Sequence, residues 1–244
     1  LVDRHWKYVR DKDDLNDELK AMFGYADKKL EIEKFFTNKI TPYIQNQKLR
    51  IFEPCCGIGY LASHLSEISP ESTFYCIDQT KEFIDIANQR YKSDRVKFEC
   101  EDVYNIENGK PYDISYNFAS LMIIPYYDEM LKKMFEFTGS TIFIFSLFYD
   151  GNIDFQVRIR EWNTSAGKKD WNSFLNVYSK PQFENYAYKL GATNVEWDDF
   201  NIPFEIEKKD MHRMGAYTYK LCDGSIIEMS GVIQKHWKLV RIDL

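Results

Sequence analysis

From Asp14 to Tyr43, the apolar residues Leu15, Leu19, Met22, Phe23, Leu30, Phe35, Phe36 and Ile40 recur among charges at helical spacing. Two helices are therefore expected before any strand, with Gly24 breaking the run and Pro42 closing it. Leu49–Glu53 then reads as a strand and Tyr60–Glu67 as a helix that stops before Pro70. Thr73–Asp78 is almost continuously apolar, which suits a parallel strand buried on both faces. Lys81–Tyr91 follows as a helix, and Val96–Cys100 alternates as a third strand. Tyr112–Phe118 is a fourth strand, Tyr126–Phe137 a helix, and Thr141–Phe148 the fifth and most apolar strand. In Ser179–Leu190, Ser179 and Gln182 stand at capping-box spacing, Pro181 falls in the first turn and Gly191 just past the end. Asn194–Phe200 is the strand that follows.

This βαβ alternation predicts an α/β fold with a doubly wound parallel sheet. Beyond it the pattern changes: Tyr217–Leu221 and Ile226–Ser230 flank Asp223-Gly224, a hairpin signal, and Trp237–Ile242 makes a last strand.

The richest stretch is Glu53-Pro54-Cys55-Cys56-Gly57-Ile58-Gly59, where the first strand ends on an acid and turns through two glycines into a helix. Glycine lets backbone approach a ligand, and a helix start presents free N–H groups to it. An acid facing that ligand disfavours a phosphate and favours amines or hydroxyls. The run resembles the first motif of class I S-adenosylmethionine-dependent methyltransferases, and the element order over roughly residues 30–244 looks like their fold. The resemblance implies a seven-stranded, mostly parallel sheet with an antiparallel last strand, a helical N-terminal extension and an added C-terminal β-hairpin. It implies one methyltransferase domain over 1–244, with a cap at 1–46, a cofactor core at 47–148, an acceptor lid at 149–178 and a C-terminal part at 179–244.

Asp78 lies about twenty residues after Gly59, where a strand-end carboxylate in this topology meets a ribose diol. By the same resemblance S-adenosylmethionine is held by Glu53, Cys55, Cys56, Gly57 and Gly59, by Asp78 with Gln79, by Asp102 with Val103 (Glu101 competing with Asp102), and by Asn117 and Phe118. A competing reading is a Rossmann-type NAD-dependent oxidoreductase, since Gly57-Ile58-Gly59-Tyr60-Leu61-Ala62 formally satisfies Gly-x-Gly-x-x-Ala. Glu53-Pro54 before the turn, the acid after the third strand and the hairpin-bearing tail oppose it. A non-catalytic subunit that binds S-adenosylmethionine is a third reading.

The acceptor is less legible. Neither a histidine nor a lysine motif follows the fourth strand, and the Asn/Asp-Pro-Pro-aromatic motif is absent, so the base is unidentified. His5, Tyr149 and His236 are the weak catalytic candidates, with His212 of comparable weight and His64 read as structural. Tyr8, Ser120, Tyr149, Arg158 and Arg160 are the candidates for the acceptor. In an extended segment Arg158 and Arg160 share a face and can clamp an anion; Arg213 beside His212 is weighed evenly with them. The expected reaction is methyl transfer to N or O of a small polar metabolite such as a sugar, achieved mainly by positioning.

Composition narrows the partners. A net charge of -6 leaves no basic footprint for nucleic acid. No apolar run is long enough to span a membrane and the first residues do not read as a signal peptide. The five cysteines form no Cys-x-x-Cys pair, which argues against a metal site, and their odd number argues against a disulfide framework, so a cytoplasmic protein is expected. Oligomeric state is left open.

Overall fold

The computed structural model describes residues 12–106, 111–162, 170–208 and 215–244. The chain opens with helices α1 (Lys12–Lys28) and α2 (Glu31–Ile44). Gly24, expected to break the helical run, lies inside α1. The break falls instead at Lys29, a non-glycine residue at φ 46°. Pro42 sits within α2 rather than closing it. Next come β1 (Arg50–Pro54), α3 (Tyr60–Ile68), β2 (Thr73–Asp78), α4 (Lys81–Arg90), β3 (Val96–Cys100) and β4 (Tyr112–Phe118). After a 3₁₀ turn at Leu121–Ile123, α5 (Tyr127–Phe137) runs directly into β5 (Thr138–Tyr149).

The segment 149–178, expected as an acceptor lid, contains a hairpin, β6 (Arg158–Trp162) with β7 (Asp170–Phe174), followed by the two-residue β8 (Tyr178–Ser179). Helix α6 (Lys180–Leu190) begins as predicted: the Ser179 hydroxyl accepts the Gln182 N–H at 3.3 Å, and Gly191 ends the helix at φ 111°. The tail holds β9 (Asn194–Asp199), β10 (Ala216–Lys220), β11 (Ile226–Ser230), β12 (Ile233–Gln234) and β13 (Trp237–Asp243).

The main sheet runs β3-β2-β1-β4-β5-β13-β9, with β8 adding to the end of β5. Strands β1 to β5 are parallel, and β13 enters antiparallel between β5 and β9. Strand order reverses between β1 and β4, so the chain leaves these two strands in opposite directions and opens a crevice at their carboxyl ends. Strands β10, β11 and β12 form a separate antiparallel sheet.

The periodicity of the strands explains the two core layers. On one face Ile51, Cys76, Tyr116, Phe143 and Phe145 pack with Phe36 and Ile40 of α2, Leu61 and Leu65 of α3, and Ala87 of α4. On the other, Phe52, Ile77, Ile142, Ile144 and Phe148 meet Met130, Leu131 and Met134 of α5 and Phe183 of α6. Because β5 sends apolar residues to both layers, its continuous apolar run is required by position; each such side chain contributes on the order of 1.5–3 kcal/mol by burial. Among the described residues no helix is long and apolar enough to cross a membrane.

Candidate active site at the carboxyl ends of the central strands

The turn after β1 is built from residues in the left-handed region: Cys55 at φ 60°, Gly57 at 56° and Gly59 at 77°. The two glycines do different work. A Cβ on Gly59 would meet the Phe98 ring at 2.3 Å and Ala87 at 3.1 Å, so Gly59 lets α3 start tight against β3 and α4. Among the described residues, a Cβ on Gly57 would touch only Met22 of α1, at 3.5 Å. Helix α1 thus lies over the turn, and its Phe23 packs under the Arg90 guanidinium at 4.2 Å.

Asp78, at the end of β2, ties the turn together. Its Oδ2 accepts the Gly57 N–H at 3.0 Å and its Oδ1 the Thr80 N–H at 2.8 Å. Part of the hydrogen-bonding capacity assigned to a ligand is therefore spent on shaping the loop.

Glu53 is only 4 % exposed, beside Cys76 on β2 and near Tyr116 on β4. Among the described residues, its Oε2 and the Tyr116 hydroxyl are buried with no hydrogen-bond partner. Burial pushes the carboxyl up to about 8; the Asp78 charge adds to this, and the Tyr116 hydroxyl and Cys76 thiol oppose it. An orphaned buried carboxylate oxygen is costly and persists where a ligand completes it. It fits a group bringing an amine or hydroxyls.

The three strand-end acids converge. Burial drives the Cys55 thiol well above its ordinary range, and the charges of Asp78, Asp102 and Glu53 push it the same way. The Ser120 hydroxyl also reaches Cys55. Asp102 uses Oδ1 to accept the Tyr104 N–H at 3.1 Å, while its competitor Glu101 is exposed. Gln79 is exposed, its carbonyl accepting from the Cys100 thiol at 3.7 Å.

Three residues named for the cofactor have side chains engaged within the fold. Cys56 is buried in the first core layer and Val103 in the second. The Asn117 amide is wholly internal: Nδ2 donates to Pro54 O at 3.1 Å and to Ser120 Oγ at 2.7 Å, and Oδ1 accepts the Leu121 N–H at 3.1 Å. Asn117 locks the end of β4 to the end of β1. Phe118 follows it, partly buried, and Ala119 turns the chain at φ 54°.

Of the acceptor candidates, Tyr149 is 37 % exposed at the end of β5, with its ring 5.4 Å from Phe155. Arg158 is exposed at a strand position whose inward neighbour is Ile159. Arg160 lies two positions on in β6 and is described in its backbone alone. His236 precedes β13, where burial and the Lys238 charge push its pKa down. His64 faces Glu33 between α2 and α3 at 3.3 Å. His5, Tyr8, His212 and Arg213 lie outside the described residues. Among the described residues no His, Cys, Asp or Glu group is arranged to hold a metal.

Sequence reasoning missed the latch that fixes the loop after β4. Asn176, 0 % exposed, donates its backbone N–H to Met122 O at 2.7 Å and its Nδ2 to Ile124 O at 2.8 Å. Its Oδ1 accepts the Val157 N–H at 3.2 Å. The Tyr178 hydroxyl also donates to Ile124 O, and Gln156 Nε2 to Pro125 O. A lone Asn in a segment without regular periodicity carries no motif, so only the fold exposes it. Asn176→Ala is expected to cost about 2–4 kcal/mol by leaving buried partners unmade. S-adenosylhomocysteine affinity is expected to stay within about twofold, because no bond of the latch reaches β1 or β2. Denaturant melts and a binding titration on the same variant check both parts; an unchanged midpoint would refute the latch.

Residues 51–139 match the family of methyltransferase domains. Two curated relatives are malonyl-[acyl-carrier protein] O-methyltransferases. That of Bacillus cytotoxicus is 28% identical over 159 residues, covering 63% of this chain and 55% of the relative. That of Bacillus cereus is 30% identical over 165 residues, covering 66% and 58%. The chain thus spans a little over half the length of these relatives. Among solved structures, a putative S-adenosylmethionine-dependent methyltransferase from Listeria monocytogenes aligns with a TM-score of 0.54 at 11% identity, covering 87% of this chain and 97% of that one. Magnesium protoporphyrin IX methyltransferase from Synechocystis, with S-adenosylmethionine bound, aligns at 0.51 and 9% identity, covering 87% and 79%. The oxidoreductase reading has no counterpart among these matches. With the antiparallel β13, the strand order and the glycine turn that closes β1, the fold is the class I, Rossmann-like one, and residues 51–139 within it match the family of methyltransferase domains.

Proposed function

We propose that this protein transfers a methyl group from S-adenosylmethionine to an oxygen or nitrogen atom of a small-molecule acceptor. The observation that carries the reading is the buried, unpartnered Glu53 oxygen beside a turn that three left-handed residues hold open. When bound, S-adenosylmethionine supplies an activated methyl on a sulfonium. Glu53 and Asp78 would face its amine and hydroxyls, with Asp102 and the exposed Gln79 toward the base. Ser120 and Cys55 stand between the two strand ends from which an acceptor would approach.

Positioning is the main contribution available to these residues, since holding two reactants in line is worth as much as about 7–11 kcal/mol. Among the described residues no histidine stands at the ends of β1 and β4: His64 is between helices and His236 precedes β13. An acceptor atom that arrives already nucleophilic, such as a carboxylate oxygen, suits such a site. The curated relatives, both O-methyltransferases, favour oxygen as well.

Calorimetric titration with S-adenosylmethionine and, separately, NAD tests the cofactor. S-adenosylmethionine is expected to bind and NAD not to. Asp78→Ala is expected to lose about 1.5–3 kcal/mol of affinity, combining lost ligand contacts with a loosened Gly57 N–H. Tight NAD binding alone would sink the proposal.

A further inference from the structure

Glu53 stands in a row that crosses the sheet. Cys76 of β2 is its register partner on one side. On the other, β1 and β4 pair Ile51 with Ile114 and Phe52 with Ser115, which brings Tyr116 level with Glu53 one step further on. Neighbouring strands lie about 4.8 Å apart, so the three side chains stand next to one another. Cys76 and Tyr116 belong to the first core layer, which α2 and α3 close with Phe36, Ile40, Leu61 and Leu65. The Phe36 ring lies 5.7 Å from that of Tyr116.

Among the described residues, the groups that act on the Glu53 carboxyl are Tyr116, Cys76 and Asp78, and none is a cation. The thiols of Cys55 and Cys56, next along the turn, are kept protonated by burial. A carboxylate in such a layer ionises only where hydrogen bonds replace its water. Burial also drives the Tyr116 phenol and the Cys76 thiol well above their ordinary ranges, so each stays a proton donor. The two donors are unequal, because a thiol donates weakly and a phenol well. Tyr116 is fully buried, and among the described residues its hydroxyl makes no hydrogen bond to any other group. It is near enough to act on the carboxyl, yet the bond between them is not closed in this structure. Ionisation gives a reason to close it, since a charged acceptor roughly doubles the strength of such a bond.

We propose that Tyr116 is the positioning residue for Glu53, donating its hydroxyl to the carboxylate and so holding a charged oxygen toward the amine of S-adenosylmethionine. The inference rests on the methyltransferase reading above. Without the hydroxyl, the amine meets an acid that has kept its proton.

Tyr116→Phe keeps the ring that packs on Phe36 and deletes the donor. Losing a hydrogen bond to a charged group makes ionisation about tenfold harder. Because Glu53 titrates at about 8, S-adenosylhomocysteine affinity of the variant is expected to fall about tenfold at pH 7, where both proteins must give up the proton to bind. By pH 9 the deficit is expected to shrink to about twofold. The amine of the ligand titrates alike against both proteins and cancels from the ratio. Calorimetric titrations at pH 7, 8 and 9 read that ratio. In a Glu53→Gln background, Tyr116→Phe is expected to change affinity by less than about twofold at every pH. At pH 6, where Glu53 is protonated in both proteins, melting temperatures are expected to agree within about 3 °C. A deficit that is equal at pH 7 and 9, one that persists in the Gln background, or no deficit at all would overturn this inference and leave the methyltransferase reading standing. So would a Tyr116→Phe chain that fails to fold at pH 6, since that result assigns the hydroxyl to structure. Failure of the unaltered protein to bind S-adenosylhomocysteine would overturn both.

Discussion

Glu53→Gln is expected to stabilise the folded protein above neutral pH while it weakens the cofactor. The carboxyl sits at about 8 in the fold because it is buried, against roughly 4.3 in an unfolded chain. Between those two values the folded state holds a proton that the unfolded state has released. Stability therefore falls as pH rises through that window and levels off above about 8. At about 1.4 kcal/mol per unit, the ionised carboxylate costs on the order of 3–5 kcal/mol at pH 8.5, which a neutral amide does not incur.

A ligand amine requires the carboxylate, so binding near pH 7 is expected to release a proton and to tighten as pH rises toward 8. Gln removes both the proton release and about 1.5–3 kcal/mol of affinity. Calorimetry in two buffers of different ionisation enthalpy counts the proton directly, and urea melts at pH 6 and 8.5 read the stability. A Gln variant that binds as tightly as the native chain, with no proton released by either, would remove Glu53 from the site.

Gly59→Ala is expected to be the most damaging single methyl in the turn. Its Cβ would fall 2.3 Å from the Phe98 ring, at a φ of 77° that L residues avoid. Strain of about 1–2 kcal/mol from the backbone and about 1–3 kcal/mol from overpacking together lower the melting temperature by roughly 5–15 °C. Gly57→Ala carries only the backbone part, since its nearest neighbour would be Met22 at 3.5 Å; its effect should appear more in cofactor affinity than in melting. Trimming the ring tests the cause. Phe98→Leu in the Gly59→Ala background is expected to recover part of the loss, and a double variant no better than the sum of the two single changes would show that the ring is not what the methyl strikes.

Much of this site could be read from residue order. Glu53, Gly57, Gly59, Asp78 and Asp102 all stand at strand ends, and strand ends are marked by apolar runs whose boundaries depend on local chemistry. The capping box at Ser179 and the hairpin about Asp223-Gly224 formed for the same reason, each satisfied by neighbours within a few residues. The misplaced features depend on distant partners. Gly24 stays helical because α1 packs as a unit over the Gly57 turn, outweighing a helix propensity of about 1 kcal/mol. Segment 149–178 showed no strands because β6 and β7 pair with each other and its inward apolar residues, Ile159, Phe174, Leu175 and Val177, follow no single period.

What the sequence determined by itself was the layering and the glycine turn that closes β1, because burial on both faces demands unbroken apolar strands and a close turn demands glycine. The tertiary structure alone decided how each group is used. It spent the Asn117 amide on joining two strands, turned Cys56 and Val103 into core, and left one oxygen of Glu53 without a partner. Hydrogen-bond satisfaction and packing between remote segments are properties of the folded assembly, and no local pattern encodes them.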